Sequence, residues 1–88
     1  MSTPTPQLVM TRLNVTEARS EALFDSELRP SDAPTAEVVA KAIDRAVQLY
    51  GVGGCVGRMA QEFGDHPDAA AERMRWARWI TAQAAVRP

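Results

Sequence analysis

The sequence predicts an all-α fold: a small three-helix bundle whose last two helices resemble a helix-turn-helix, preceded by a helical N-terminal arm. Three observations carry this reading. Apolar residues between 36 and 50 recur on one half of a helical wheel. Prolines and glycines fall where helices start and stop. No segment alternates apolar and polar residues with the period of a strand. At 88 residues, the chain supports one domain with a modest core, which association can supplement.

Residues 1–9 are rich in Ser, Thr and Pro, have no apolar period, and are expected to form a disordered tail. Met10 reads as a candidate alternative start. Residues 10–34 are expected to form a helical arm and a linker. Asn14 and Glu17 have capping-box spacing and open a helix expected over 15–28. Its apolar residues Ala18, Ala22, Leu23, Phe24 and Leu28 form no single clean stripe. Arg29-Pro30-Ser31-Asp32-Ala33-Pro34 breaks the chain, because a proline disfavours helical geometry at the residue before it.

A helical core domain is expected over 35–86. Thr35 caps a helix over 36–50. Its apolar face carries Val38, Val39, Ala42, Ile43, Ala46, Val47, Leu49 and Tyr50. Its polar face carries Glu37, Lys41, Asp44, Arg45 and Gln48. Gly51 suits a left-handed cap, and Gly51–Gly54 reads as a flexible corner. A shorter helix over 55–63 places Val56, Met59, Ala60 and Phe63 inward, and Gly64 ends it. Asp65 or His66 caps the last helix, 67–84, with Pro67 in its first turn. Ala70, Met74, Ala77, Ile80 and Ala84 share its inner face, with Trp76 beside them.

Charge narrows the function. The net charge is −1 and the pI about 5.7, more acidic than a general polyanion binder. Residues 67–88 alone are net basic, with four Arg against two acids. No apolar run is long enough to span a membrane, and the N-terminus lacks the pattern of a signal peptide. The single cysteine, Cys55, cannot form an intramolecular disulfide. That fits a reducing compartment, so a soluble cytoplasmic domain is expected. Nine Arg against one Lys, with abundant Ala, reflects a GC-rich genome rather than a function.

Each candidate for chemistry has a simpler structural role. The glycines of 51–57 follow a helix, not a strand, and no Gly-Lys-Ser/Thr is present, so they read as an interhelix corner rather than a nucleotide loop. Gly54-Cys55-Val56-Gly57 matches an RNA-clamping Gly-x-x-Gly, but that fold needs a sheet. Cys55 at a helix start reads as a small buried residue unless His66 lies beside it as a base. Asp65-His66-Pro67-Asp68 matches no metal spacing. Its acids offset a helix dipole. Glu17, Glu21, Asp25, Glu27 and Asp32 read as a solvated face. No catalytic residue, cofactor or metal site is therefore expected, and the chain reads as a non-enzyme.

Two constellations point to binding. Ala60 and Gly64 lie four apart, with Met59 and Phe63 facing inward, as in a helix-turn-helix. The following helix carries Arg73, Arg75 and Arg78, which suit phosphates or guanine edges in a major groove. Asp65 after the glycine, and Asp68 and Glu72 near the start of the second helix, count against DNA. Trp79, flanked by Arg75 and Arg78 at the edge of the apolar face, suits a protein contact. Leu23, Phe24 and Leu28 join it, since the uneven helix over 15–28 is expected to need a second chain to cover it.

The run Gln61-Glu62-Phe63-Gly64-Asp65-His66-Pro67, continued by Arg73-Met74-Arg75-Trp76-Ala77-Arg78, resembles small uncharacterised helical proteins of GC-rich actinobacteria. The similarity extends to Ser20–Phe24 and Pro30–Asp32 and covers most of residues 10–80. It implies a stand-alone cytoplasmic domain and brings no activity or cofactor. The function expected is a regulatory or adaptor protein acting through protein contacts as a homodimer. The alternative is a DNA-binding regulator that reads with helix 67–84. That alternative requires Arg73, Arg75 and Arg78 to be exposed on a face free of acids.

Overall fold

The computed structural model describes residues 15–85. The tail and the Asn14 cap lie outside the described residues. Three helices and one short 3-10 turn make up the fold, with no strand among the described residues. Helix α1 covers 15–24, the 3-10 turn Pro30–Asp32, α2 Ala36–Asp65 and α3 Pro67–Ala85. The expected all-α bundle is present, with different boundaries.

Thr35 caps α2 as its sequence suggests, its hydroxyl accepting from the Val38 amide at 3.3 Å. α2 is two helical arms, 36–50 and 52–65, joined at Gly51. There φ is 72° and ψ 165°, a conformation open essentially to glycine alone. The predicted break is therefore at the right residue, but it is sharper than expected. The second arm starts at Val52, and Gly53 and Gly54 are helical rather than part of a loop. Gly64 does not end this arm, which runs on to Asp65.

His66 alone separates α2 from α3. Its amide donates to the Glu62 carbonyl at 2.7 Å, and its carbonyl accepts from the Ala70 amide at 2.9 Å. One residue thus closes one helix and opens the next. A helix-turn-helix joins its helices through three or four turn residues, and Ala60, which should face inward there, is exposed. This corner is an interhelix joint of a different kind.

α1 is shorter than expected, ending at Phe24 rather than Leu28. For it to continue, the Leu23 and Phe24 carbonyls would have to accept from the amides of Glu27 and Leu28. Other donors take them. The Ser26 amide and hydroxyl reach the Leu23 carbonyl at 3.0 and 2.6 Å. The Arg73 Nε of α3 reaches the Phe24 carbonyl at 2.7 Å.

The core joins Ala22, Leu23 and Phe24 of α1 to Val39, Ile43, Ala46 and Cys55 of α2 and Ala70, Met74 and Ala77 of α3. Met59, Phe63 and Trp76 pack against it half-buried. Three consecutive buried residues span about 200° of a helix circumference at about 100° per residue. No single flat surface covers that arc. The kinked α2 and α3 cover it from several sides: Phe24 stacks on Phe63 with ring centroids 5.9 Å apart, and Arg73 closes the end. The expectation that Leu23 and Phe24 need a second chain is therefore corrected, since the chain's own helices bury them to 0 % and 4 % exposure.

Candidate functional site

The first arm of α2 carries an apolar stripe wider than the surface the other described residues offer it. Val39, Ile43 and Ala46 are buried, while Val38 and Leu49 remain 43 % and 60 % exposed. This uncovered edge forms one wall of an open groove with a volume of about 370 Å³. Leu28, Val38, Ala42, Ala46, Leu49 and Tyr50 supply its apolar lining. Charged groups stand on both sides, Asp25 and Glu27 from the end of α1, Lys41 and Arg45 from α2. The Arg58 guanidinium lies over the Tyr50 ring, 4.1 Å from its centroid, and holds that end of the groove by a cation–π contact.

Trp79 is a separate exposed apolar residue on α3, 59 % accessible, as its position at the edge of the helical face suggests. Of the four residues expected to meet a partner, Trp79 and the half-buried Leu28 are at the surface. Leu23 and Phe24 are in the core.

The three arginines of α3 divide. Arg73 is half-buried and forks into the end of α1. Its Nε donates to the Phe24 carbonyl, and its Nη2 reaches the carbonyls of Ser26 and Leu28 at 2.9 Å and of Leu23 at 3.5 Å. The guanidinium also lies 5.1 Å from the Trp76 ring centroid. Burial lowers its pKa and the nearby Asp25 carboxylate opposes that shift. A positive group on unsatisfied C-terminal carbonyls is stabilising on both dipole and hydrogen-bond grounds. Arg73 is therefore a structural cap, which corrects its expected availability to DNA. Arg75 is exposed, and exposed Arg78 pairs with Glu17 of α1 at 2.8 Å. Exposed Asp68 and Glu72 share their helix, so the acid-free arginine face that a DNA reader requires is not formed.

Asp25 and Cys55 are brought together, which sequence reasoning missed. Asp25 reads as solvated in the sequence, yet its Oδ2 is buried without a hydrogen-bond partner. Burial pushes its carboxyl up to about 6 against the pull of Arg58, Cys55 and Arg73. The Cys55 thiol, buried beside it, is directed at the Ala46 carbonyl at 3.7 Å. Burial first and the Asp25 charge second raise its pKa. Both shifts favour the neutral forms. A nucleophilic thiol needs the reverse. His66 is no base for it. It lies eleven residues further along the chain, about 16 Å at a helical rise, and its ring pairs with Glu62 at 3.1 Å. No local sequence signal could have placed Asp25 against Cys55, since the contact depends on how the kinked α2 meets α1.

Among the described residues no group of three or more His, Cys, Asp or Glu is placed to hold a metal. Among them also, no helix is long and apolar enough to cross a membrane. No known protein family, curated protein or solved structure matches this chain.

Proposed function

We propose that this chain is a non-enzymatic regulatory or adaptor domain of the cytoplasm that acts by binding protein, with a second copy of itself as partner. One observation carries the reading: among the described residues the apolar stripe of α2 exceeds what its neighbours cover, leaving Val38 and Leu49 exposed beside a groove. Exposed apolar surface rimmed by charge is the usual form of a protein contact site. Trp79 adds a second anchor of the residue type that most often dominates such contacts. The buried Cys55, whose thiolate is disfavoured by burial and by the Asp25 carboxylate, supplies no activated nucleophile, which favours a binding role over catalysis.

Light scattering on the intact chain tests the reading. Twice the monomer mass at micromolar concentration is expected. A strictly monomeric chain at high micromolar concentration overturns self-association. Phe24→Ala is no association variant, because its ring is a core residue and its loss is expected to destabilise each protomer. Reading of DNA by α3 is the less favoured alternative, with Arg75 and Arg78 left as its candidates. Fluorescence anisotropy against random-sequence duplex at low salt is expected to show no binding that Arg75→Ala and Arg78→Ala remove.

A further inference from the structure

We propose that Arg58 is a two-position clasp at the Gly51 kink: its guanidinium rests on the Tyr50 ring while the Asp25 carboxyl is protonated and moves onto the carboxylate when Asp25 ionises. In the first position it ties the two arms of α2 together. In the second it ties the second arm to the end of α1. The inference goes beyond the binding role proposed above and holds for a monomer and a dimer alike.

Helical spacing sets Arg58 between its two partners. Residues three and four apart share a helix face, so Arg58 stands beside both Cys55 and Gly54. Tyr50 packs closely on Gly54, where an added Cβ would lie 3.1 Å from the Tyr50 Cβ. Asp25 lies against Cys55. The Arg58 guanidinium is 4.1 Å from the Tyr50 ring centroid, a contact that bridges the first arm to the second across Gly51. Arg58 is exposed, so it changes partner by a change of rotamer, without moving a packed group.

The Asp25 carboxyl lacks a donor. Among the described residues its buried Oδ2 has no hydrogen-bond partner, an arrangement that a neutral carboxyl tolerates better than a carboxylate. Four groups act on its charge: Arg58 and Cys55 from the second arm, Arg73 from α3 and Glu21 from α1. Glu27, and Lys41 and Arg45 of the first arm, line the groove with it. Arg73 is committed to the carbonyls at the end of α1, and Arg58 exerts the stronger pull on Asp25 of the two guanidiniums. A charge-assisted hydrogen bond to a carboxylate shielded from water outweighs a cation–π contact made by an exposed arginine. Ionisation of Asp25 therefore favours the second position, and burial places that ionisation at about pH 6.

The test follows the intact chain by NMR between about pH 4 and pH 8, reading the ring of Tyr50, the single tyrosine, and the Asp25 carboxyl carbon. Both are expected to shift with one common midpoint of about 6. Asp25→Asn should abolish the Tyr50 response. Arg58→Gln should abolish it as well, while raising the midpoint of Asp25, which loses a cation. Arg58 is exposed, so Arg58→Gln is expected to fold and keeps the clasp testable even if Asp25→Asn perturbs the core. His66→Gln should leave the response in place, which separates it from the single histidine. A Tyr50 ring that stays fixed while Asp25 titrates overturns the clasp, as does a Tyr50 response that survives Arg58→Gln.

Discussion

The guanidinium of Arg73 on α3 donates to the main-chain carbonyl of Phe24 at the end of α1, with its Nε 2.7 Å from the oxygen. Forty-nine residues separate the pair. The same side chain reaches the Ser26 and Leu28 carbonyls, so one arginine caps a helix from another part of the chain. Arg73→Ala leaves these carbonyls without their charged donor. The expected loss in urea denaturation is on the order of 2–4 kcal/mol, since each charge-assisted bond is worth about 1.5–3 kcal/mol and they are not additive. Arg73→Lys keeps the charge without the planar fork and should recover part of the loss. Equal stability of Arg73→Ala and wild type would remove the capping role.

Gly51 and Gly57 should respond to alanine with opposite signs. Gly51 has φ 72°, where a Cβ is strained, so Gly51→Ala is expected to destabilise by about 1–3 kcal/mol. Gly57 is helical and a Cβ there would meet nothing within 4 Å. Gly57→Ala should stabilise by about 0.5–1 kcal/mol through the unfolded chain and helix propensity. Thermal midpoints of the two variants decide the matter. A gain on Gly51→Ala would contradict the kink.

Asp25 should make stability fall as pH rises. Its folded pKa, about 6, lies above the ordinary 3.8. Between those values the folded chain therefore holds a proton that the unfolded chain has released. Folding is favoured on the acid side, and stability is lost as pH climbs from about 4 through about 6. Half-buried Glu21 is shifted in the same direction, by burial first and Glu17 second. Asp25→Asn should raise the denaturation midpoint at pH 7.5, change it little at pH 4.5, and flatten the profile between. A variant with the wild-type profile would place the carboxyl in water.

Cys55 should be a slow thiol. It is 1 % exposed and its thiolate is disfavoured by burial and by Asp25. Labelling by a disulfide reagent at pH 8 is expected to run on the order of a hundredfold slower in the native chain than in denaturant, because reaction waits on opening. Comparable rates in the two states would reverse this and revive a reactive role.

Local chemistry in the sequence determined the helical class, the proline break after α1, the Thr35 cap, the change of direction at Gly51 and the first turn at Pro67. Each depends on the residue's own backbone preference or on a donor three or four residues away, so each was legible without a fold. The inner residues Val39, Ile43, Ala70, Met74 and Ala77 were legible for the same reason, as they recur at the helical period. Tertiary structure alone decided the rest. It ended α1 at Phe24, because Arg73 and Ser26 take carbonyls that the helix would otherwise use. It buried Leu23 and Phe24 within one chain, because a kinked α2 wraps more of α1 than a straight helix could. It turned Arg73 from a surface cation into a cap and set Asp25 beside Cys55. It left Val38 and Leu49 uncovered, since a helical wheel shows how wide an apolar stripe is, and only the packed neighbours decide how much of it they cover.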